Sequence, residues 1–242
     1  MKHQNAAILV IGNEVLSGRT REANAYLAAQ KLFERGCKVA EIAIVPDVDT
    51  AIIATLNRLR GQYDAVITSG GIGPTHDDIT MQAIAQAFNV PLIEHCFIIQ
   101  AMTEYFGHEG MNEGRKRMTR VPDGASLIRC DQTIAPGARI ENVYILAGVP
   151  YIFASQLASI LDDFGDTPFQ RLEIDVALPE SIFSKQLAAL QQQFDDVEIG
   201  SYPGRCGPDP MGKICLSSQD ENRLKQAHTR VEHMLDNIQT SL

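Results

Sequence analysis

Residues 6–88 alternate three times between a short apolar run, a loop and a helical pattern. The apolar runs have the length of buried strands and lie at residues 6–11, 39–45 and 64–68. Each is followed by apolar residues at helical spacing, at 22–35, 52–59 and 80–88. Because parallel strands need crossover connections, usually helices, this order predicts a parallel sheet with helices on both faces.

The remaining pattern predicts the end of this first domain and a smaller second one. Helical patterns at 96–106 and 113–120 precede an apolar strand at 143–147 and a helix at 151–164. After a linker at 165–168, we expect strand, helix, strand, strand and helix at 169–177, 181–194, 197–201, 213–216 and 221–238. Turn formers fill 202–204 and 206–210. The expected domains are 1–165, of the α/β class, and 169–242, a small α+β unit.

Charge and composition exclude several classes of protein. Lys and Arg number 21 against 30 Asp and Glu, giving a net charge of −9 that repels nucleic acid. No apolar run approaches the roughly 20 residues that a membrane span needs, and residues 1–5 precede no signal-like apolar segment. The five cysteines lack zinc-site spacing. We expect a cytoplasmic protein with buried, reduced thiols that binds neither nucleic acid nor membranes.

The most informative segment is Thr68-Ser-Gly-Gly-Ile-Gly-Pro-Thr-His-Asp-Asp-Ile-Thr80, which lies between a buried strand and a helix. Ligands of open α/β sheets bind at the carboxyl ends of strands, where glycines allow close backbone approach. Gly70, Gly71 and Gly73 suit a phosphate site, although neither the Rossmann nor the P-loop pattern is present. A tight turn with a helix cap is the alternative interpretation.

Two adjacent carboxylates, Asp77 and Asp78, favour the phosphate interpretation. Beside a phosphate they would repel it unless a divalent cation, Mg²⁺ or alternatively Co²⁺, lay between them. The alternative is that Asp78 complements a helix N-terminus while Asp77 is solvated. Asp47 follows the second strand and could reach the same edge of the sheet, but a Pro-Asp turn explains it equally well from sequence.

Weaker candidates surround this segment. Glu14, Ser17 and Gly18 follow the first strand, and Asn24 is either a ligand contact or a residue of the first helical turn. Among the histidines, His76 alone lies in the glycine-rich segment. A basic cluster can neutralise a ligand phosphate or form a solvated helix face, which we favour for most of its members: Arg115, Lys116, Arg117 and Arg120.

Several motifs together resemble the MoaB/Mog molybdopterin-binding domain, in the version found in CinA (competence/damage-inducible protein A) and in the N-terminal domain of eukaryotic FAD synthases. Their order and spacing match over roughly the first 165 residues. The motifs are Ile11-Gly-Asn-Glu-Val-Leu-Ser-Gly18, Val45-Pro-Asp47, the Thr68–Thr80 segment, Arg117-Met-Thr-Arg-Val-Pro-Asp-Gly-Ala125, Ala135-Pro-Gly137 and Ile145-Leu-Ala-Gly-Val-Pro150. The resemblance implies a three-layer fold with a parallel, mixed-edge sheet, and the second domain is also similar to the one following in CinA-like chains.

The resemblance also implies a function and a site. CinA-like domains hydrolyse nucleotide diphosphates such as ADP-ribose or FAD and release AMP, whereas Mog-like domains adenylylate molybdopterin with Mg²⁺ and ATP. It implies Asp47 and Asp78 as catalytic residues, and Asp77 with Asp78 as metal ligands. The ligand-binding residues it implies are Gly12, Glu14, Ser17, Gly18, Asn24, Ser69, Gly70, Gly71, Gly73, Pro74, Thr75, Arg117, Gly148 and Pro150.

The leading hypothesis is therefore a Mg²⁺-dependent nucleotide-diphosphate hydrolase acting on a small phosphorylated substrate. The alternatives are a molybdopterin adenylyltransferase and a non-catalytic module that binds a pterin or an adenine nucleotide. A dimer or trimer is expected from the resemblance. Because the sequence ends at residue 242, we do not expect the nicotinamide-nucleotide amidase activity of full-length CinA.

Overall fold

A computed structural model describes residues 2–204 and 212–240. The chain divides into two compact units, residues 1–166 and 167–242. Each unit has its own sheet and its own buried apolar cluster. The predicted turn at 206–210 lies outside the described residues.

The first unit is built on a six-stranded sheet in the order β2-β1-β3-β8-β7-β6. Strands β2, β1, β3 and β8 run parallel, whereas β7 and β6 are antiparallel to their neighbours. The parallel sheet with a mixed edge is thus confirmed. The strands are β1 (Asn5–Ile11), β2 (Lys38–Val45), β3 (Ala65–Ser69), β4 (Leu92–Glu94), β5 (Arg120–Pro122), β6 (Ser126–Cys130), β7 (Thr133–Ile140) and β8 (Val143–Leu146).

Helices cover both faces of this sheet, as the alternation of elements predicts. They are α1 (Asn13–Leu16), α2 (Asn24–Arg35), α3 (Asp49–Gln62), α4 (Thr80–Ala87), α5 (Cys96–Phe106), α6 (Glu113–Arg117) and α7 (Pro150–Ile160), the last followed by a 3₁₀ turn, Leu161–Asp163. Helix α2 ends at Gly36 in the left-handed conformation, where glycine carries no steric penalty.

The central strand β1 divides the core between the two faces of the sheet. Alternate side chains of a strand point to opposite faces. Ala7, Leu9 and Ile11 therefore pack in the cluster that contains α3, α4 and α5, while Ile8 and Val10 pack in the cluster that contains α2 and α7. A strand buried on both faces is read in sequence as an unbroken apolar run.

The region between α4 and β8 differs from the prediction. The helix expected at 113–120 ends at Arg117, and Arg120–Pro122 instead forms β5, paired antiparallel with β4. Pro122 explains the difference, because a proline disfavours helical backbone at the preceding residue. Strands β4 to β7 were not expected from the sequence at all.

The second unit is a three-stranded antiparallel sheet packed with two helices. Its elements are β9 (Gln170–Val176), α8 (Glu180–Gln193), β10 (Glu198–Pro203), β11 (Gly212–Ser218) and α9 (Glu221–Thr240). The sheet order is β10-β11-β9. Strand β10 includes Tyr202 and Pro203, so the turn predicted there begins too early. Phe183 of α8 and Val231 of α9 are fully buried against the sheet residues Ile214 and Leu216.

The cysteine prediction holds only in part. Among the described residues Cys37 is buried, but Cys130 and Cys215 are half-buried and Cys96 is exposed. All four are free thiols, and Cys206 lies outside the described residues. Burial raises the pKa of the Cys37 thiol to about 12. No helix in the described part of the chain has the length and apolar character of a membrane span.

The β1–β2 ladder offers a matched test of the core. Ile8 pairs with Ile42, and their exposed fractions are 0% and 48%. Replacing Ile8 with alanine removes fully buried methyl groups, and we expect a loss of about 2–5 kcal/mol in the free energy of unfolding. Ile42→Ala on the edge strand is expected to cost about 1 kcal/mol or less. Urea denaturation measures both, and equal losses would contradict the assigned burial.

A candidate phosphate site at the carboxyl edge of the sheet

Strands β1, β2, β3 and β8 all end at one side of the sheet, which we call the carboxyl edge. The segments that follow them carry most of the predicted site residues. Backbone hydrogen bonds join these segments. Gly12 N donates to Val45 O at 3.1 Å, and Gly70 N donates to Leu146 O at 3.3 Å. The topology thus gathers four separate motifs of the sequence at one edge.

The loop after β3, residues 70–78, is called the glycine loop. Gly70 and Gly71 have φ angles of +105° and +68°, which L side chains rarely adopt. A Cβ atom at Gly70 would lie 2.3 Å from Ile11 O, and one at Gly71 would lie 2.2 Å from Thr80 Oγ1. Thr80 also donates its hydroxyl to Gly70 O at 2.9 Å and its amide to Gly71 O at 3.0 Å. Both close approaches and the backbone angles require glycine.

Asp77 and Asp78 are drawn together by one side chain. Thr75 Oγ1 lies 2.5 Å from an oxygen of each carboxylate, and the Thr75 amide donates to Asp78 Oδ2 at 2.8 Å. The hydrogen bond from the Thr75 hydroxyl is the main cause that lowers the pKa of Asp77. The two carboxylates therefore converge on the same side of the glycine loop.

Asp47 lies at the same edge, two strands away from the glycine loop. Its carboxylate accepts a hydrogen bond from Asn13 N at 2.8 Å, which joins the end of β2 to the start of α1. Since β1 separates β2 from β3, the strand positions are about 10 Å apart. Asp47 is not among the residues that line the neighbouring cleft.

Asn24 and Ser69 form a buried link beneath the edge. The Asn24 amide nitrogen donates to Ser69 Oγ at 2.9 Å and to Gly148 O at 2.8 Å. Asn24 is 7% exposed and Ser69 is 2% exposed. Their side chains therefore hold the ends of β3 and β8 together. A Cβ atom added at Gly148 would lie 3.1 Å from Gly70 Cα, so the two glycines are close neighbours.

A cleft of about 650 Å³ opens at the carboxyl edge. Eight of the predicted site residues line it: Glu14, Gly70, Gly71, Gly73, Pro74, Asp78, Arg117 and Gly148. The other predicted residues do not line the cleft: Gly12, Ser17, Gly18, Asn24, Asp47, Ser69, Thr75, Asp77 and Pro150. His76 also lines the cleft.

The far end of the cleft was missed by the sequence reasoning. Met81 and Gln82 come from α4, Leu92 from β4, and Thr133 and Pro136 from β7. The motifs around Arg117 and Ala135 had marked two of these stretches, but with β5 and β7 unrecognised nothing connected them to the glycine loop. Apolar walls with a few polar groups are typical of small-molecule sites.

The basic cluster of the sequence separates into two roles. Arg115 packs over the Phe106 ring at 3.8 Å, and Lys116 pairs with Glu113 at 2.9 Å, both away from the cleft lining. Arg117 and Arg120 line the cleft. Arg117 also donates to Thr75 O at 2.7 Å, so it ties α6 to the glycine loop.

The donor set fits a cation that arrives with a phosphorylated ligand. Within residues 2–204 and 212–240, no group of three or more His, Cys, Asp or Glu side chains is arranged to hold a metal ion. Magnesium, however, is usually bound by one or two carboxylates together with substrate phosphates and water. The converging carboxylates of Asp77 and Asp78 match that requirement.

Glycine is expected to be essential at position 70. Gly70→Ala forces a side chain into a positive-φ position against the Ile11 carbonyl, and the expected loss in stability is at least about 1–3 kcal/mol. Gly61→Ala is the matched control, because Gly61 lies in α3 with open space around it. There we expect anything from no change to a gain of about 1 kcal/mol. Thermal unfolding distinguishes the two variants.

The Thr75 hydroxyl is expected to control the titration of Asp77. Because the folded pKa of Asp77 is lowered, this bond stabilises the fold above the ordinary value of 3.8 and is lost as pH falls through the folded pKa. Thr75→Val should raise the pKa of Asp77, whereas Thr75→Ser, which keeps a hydroxyl, should leave it low. Carboxyl NMR titration measures both. An unchanged Asp77 pKa in Thr75→Val would contradict the assignment.

Comparison with known proteins identifies both units. Residues 7–165 match the family described as "Probable molybdopterin binding domain", and residues 168–241 match "FAD synthase, middle domain". A protein of Archaeoglobus fulgidus is 31% identical over 230 residues, which cover 95% of this chain and 97% of that protein. A probable FAD synthase of Caenorhabditis elegans is also 31% identical, over 97% of this chain; the chain spans 50% of the length of that relative.

A solved structure supports the same conclusion for the first unit. The crystal structure of CinA from Thermoplasma acidophilum, described as a protein of unknown function, has a TM-score of 0.63 and 28% identity. The match covers 66% of this chain and 98% of that one. The family resemblance of the sequence motifs is therefore confirmed: the chain belongs to the molybdopterin-binding-domain family, in its CinA-like form that is shared with FAD synthases.

Proposed function

We propose that this protein is a divalent-metal-dependent nucleotide-diphosphate hydrolase that releases AMP from a substrate of the ADP-ribose or FAD type. The observation that carries the proposal is the convergence of the Asp77 and Asp78 carboxylates beside the glycine loop. Phosphoryl transfer depends mainly on positioning and on neutralising charge. The two converging carboxylates, of which Asp78 lines the cleft, would hold a cation that neutralises the phosphate charge.

Each part of the site has a role in this proposal. A bound Mg²⁺ or Co²⁺ would neutralise phosphoryl oxygens and polarise the phosphorus centre. Asp77 and Asp78 would hold the cation, and the lack of side chains at Gly70 and Gly71 would let a diphosphate approach the loop backbone. Arg117 places a positive charge on the cleft wall. Asp47, in the segment after β2, accepts a hydrogen bond from Asn13 N and so fixes the start of α1.

Substitution of the proposed metal ligand tests the reaction. Asp78→Asn should lower AMP release from ADP-ribose or FAD by at least about 100-fold in the presence of Mg²⁺ or Co²⁺, because one carboxylate charge is lost at the cation. The matched control is Asp162→Asn. Asp162 is exposed, pairs with Arg35 at 2.8 Å and lies beyond α7 at the opposite edge of the sheet. Chromatographic measurement of AMP, with circular dichroism to verify folding, compares the three proteins.

Other outcomes of this assay favour the alternatives. Consumption of ATP only in the presence of molybdopterin, especially by a trimer, would replace the hydrolase by an adenylyltransferase. Ligand binding without turnover, with every cation tested, would leave a non-catalytic binding module. Normal AMP release by Asp78→Asn would remove Asp78 from the mechanism.

A further inference from the structure

The carboxylate of Glu14, at the carboxyl edge, has no protein partner among the described residues. Glu14 belongs to α1, directly after β1, is half-buried, and lines the cleft. In the part of the chain that the structure describes, its carboxylate has no hydrogen bond or ion pair, although its backbone carbonyl accepts bonds from Thr20 N and Ser17 Oγ. The peptide at Glu14 is therefore anchored while the acidic group remains available to a ligand.

The three aspartates predicted for the site each have a protein partner. Thr75 occupies one oxygen of Asp77 and one of Asp78, and Asn13 N occupies one oxygen of Asp47. Asp47 and Asp77, moreover, do not line the cleft. Of the four carboxylates, Glu14 alone combines contact with the cleft and freedom from a protein partner among the described residues.

Gly12 permits the position of the Glu14 carboxylate. A Cβ atom at residue 12 would lie 2.6 Å from Glu14 Oε1 and 2.7 Å from Oε2, so the acidic group folds back over the glycine. The φ angle of Gly12 is 165°, an extended value that any residue adopts. The space above the residue, rather than its backbone conformation, is what glycine supplies here.

The first strand brings this carboxylate next to the glycine loop. Strands β1 and β3 are neighbours, and Gly70 approaches the Ile11 carbonyl so closely that only glycine fits. Glu14 and Asp78 therefore belong to adjoining segments of one cleft. The other charged or titratable groups that line this cleft are His76, Arg117 and Arg120.

The geometry points to Glu14 as the general base that accepts a proton from the attacking water in the proposed hydrolysis. This inference rests on the proposed function. The water oxygen forms a bond to the α-phosphorus while the bond from that phosphorus to the bridging oxygen breaks. The water proton passes to the Glu14 carboxylate, and the bridging oxygen leaves with the second phosphate. ADP-ribose and water thus yield AMP and ribose 5-phosphate, and Glu14 later returns its proton to solvent.

The test uses the purified full chain with ADP-ribose and Mg²⁺. Glu14→Gln should lower kcat by about 10²- to 10⁴-fold and leave KM within a few-fold. Gly12→Ala keeps the carboxylate but pushes it away, so it should also lower kcat. Adding Gly12→Ala to Glu14→Gln should cause no further loss, because both changes act through one group.

The controls separate this inference from the proposed function. Glu34→Gln changes an exposed glutamate of α2 that pairs with Lys31 at 2.7 Å, and it should retain wild-type kcat and pH profile. A wild-type kcat in Glu14→Gln would overturn the Glu14 assignment alone. Additive losses in the double variant would show that Gly12 acts independently and would also overturn it. Absence of AMP release by the wild-type protein would overturn both proposals.

Discussion

The chain at position 70 passes so close to the end of β1 that only glycine fits there. A Cβ atom at this position would lie 2.3 Å from the Ile11 carbonyl oxygen. This contact fixes the glycine loop against the segment that begins with Gly12. The loop is then held from the other side, where Thr80 bonds to Gly70 and Gly71. Glu14, which follows β1, and Asp78, which follows β3, line the same cleft. The segments that follow β1 and β3 thus contribute to one site.

The acids at the carboxyl edge carry the same sign of charge as the whole chain. A protein with a net charge of −9 repels a diphosphate at long range, and the two aspartates beside the glycine loop add to that repulsion. Thr75 donates its hydroxyl between the carboxylates and so keeps the pKa of Asp77 low. An ionised carboxylate at the edge attracts a cation, and a bound cation would in turn attract a phosphate. Binding of metal and substrate is therefore expected to be mutually dependent.

The sequence predicts the parallel part of the fold well because its strands are buried on both faces. An unbroken apolar run such as 6–11 is typical of a strand that is buried on both faces. Strand β7 fails the same reasoning because Pro136 and Gly137 interrupt it, and both residue types weaken a strand. The pairing of β6 and β7 shifts register between Ile128 and Cys130, opposite this stretch, so the irregularity that hides the strand in the sequence is accommodated by a bulge. The single side-chain contacts of Asn24 and Asp47 depend on tertiary packing and could not be predicted.

The part of the cleft that the sequence predicts differs chemically from the part that it does not predict. One part of the cleft is made by the glycine loop and Glu14, in segments that directly follow regular strands, and its motifs are visible in the sequence. The other end, where the rest of a substrate would lie, is made by Met81, Leu92 and Pro136 from α4 and the irregular strands. Charge and close backbone approach constrain the first end tightly, whereas apolar contact constrains the second end only by shape. Under the proposed function, substrate choice is therefore expected to depend on Leu92 of β4 and Pro136 of β7 more than on the glycine loop.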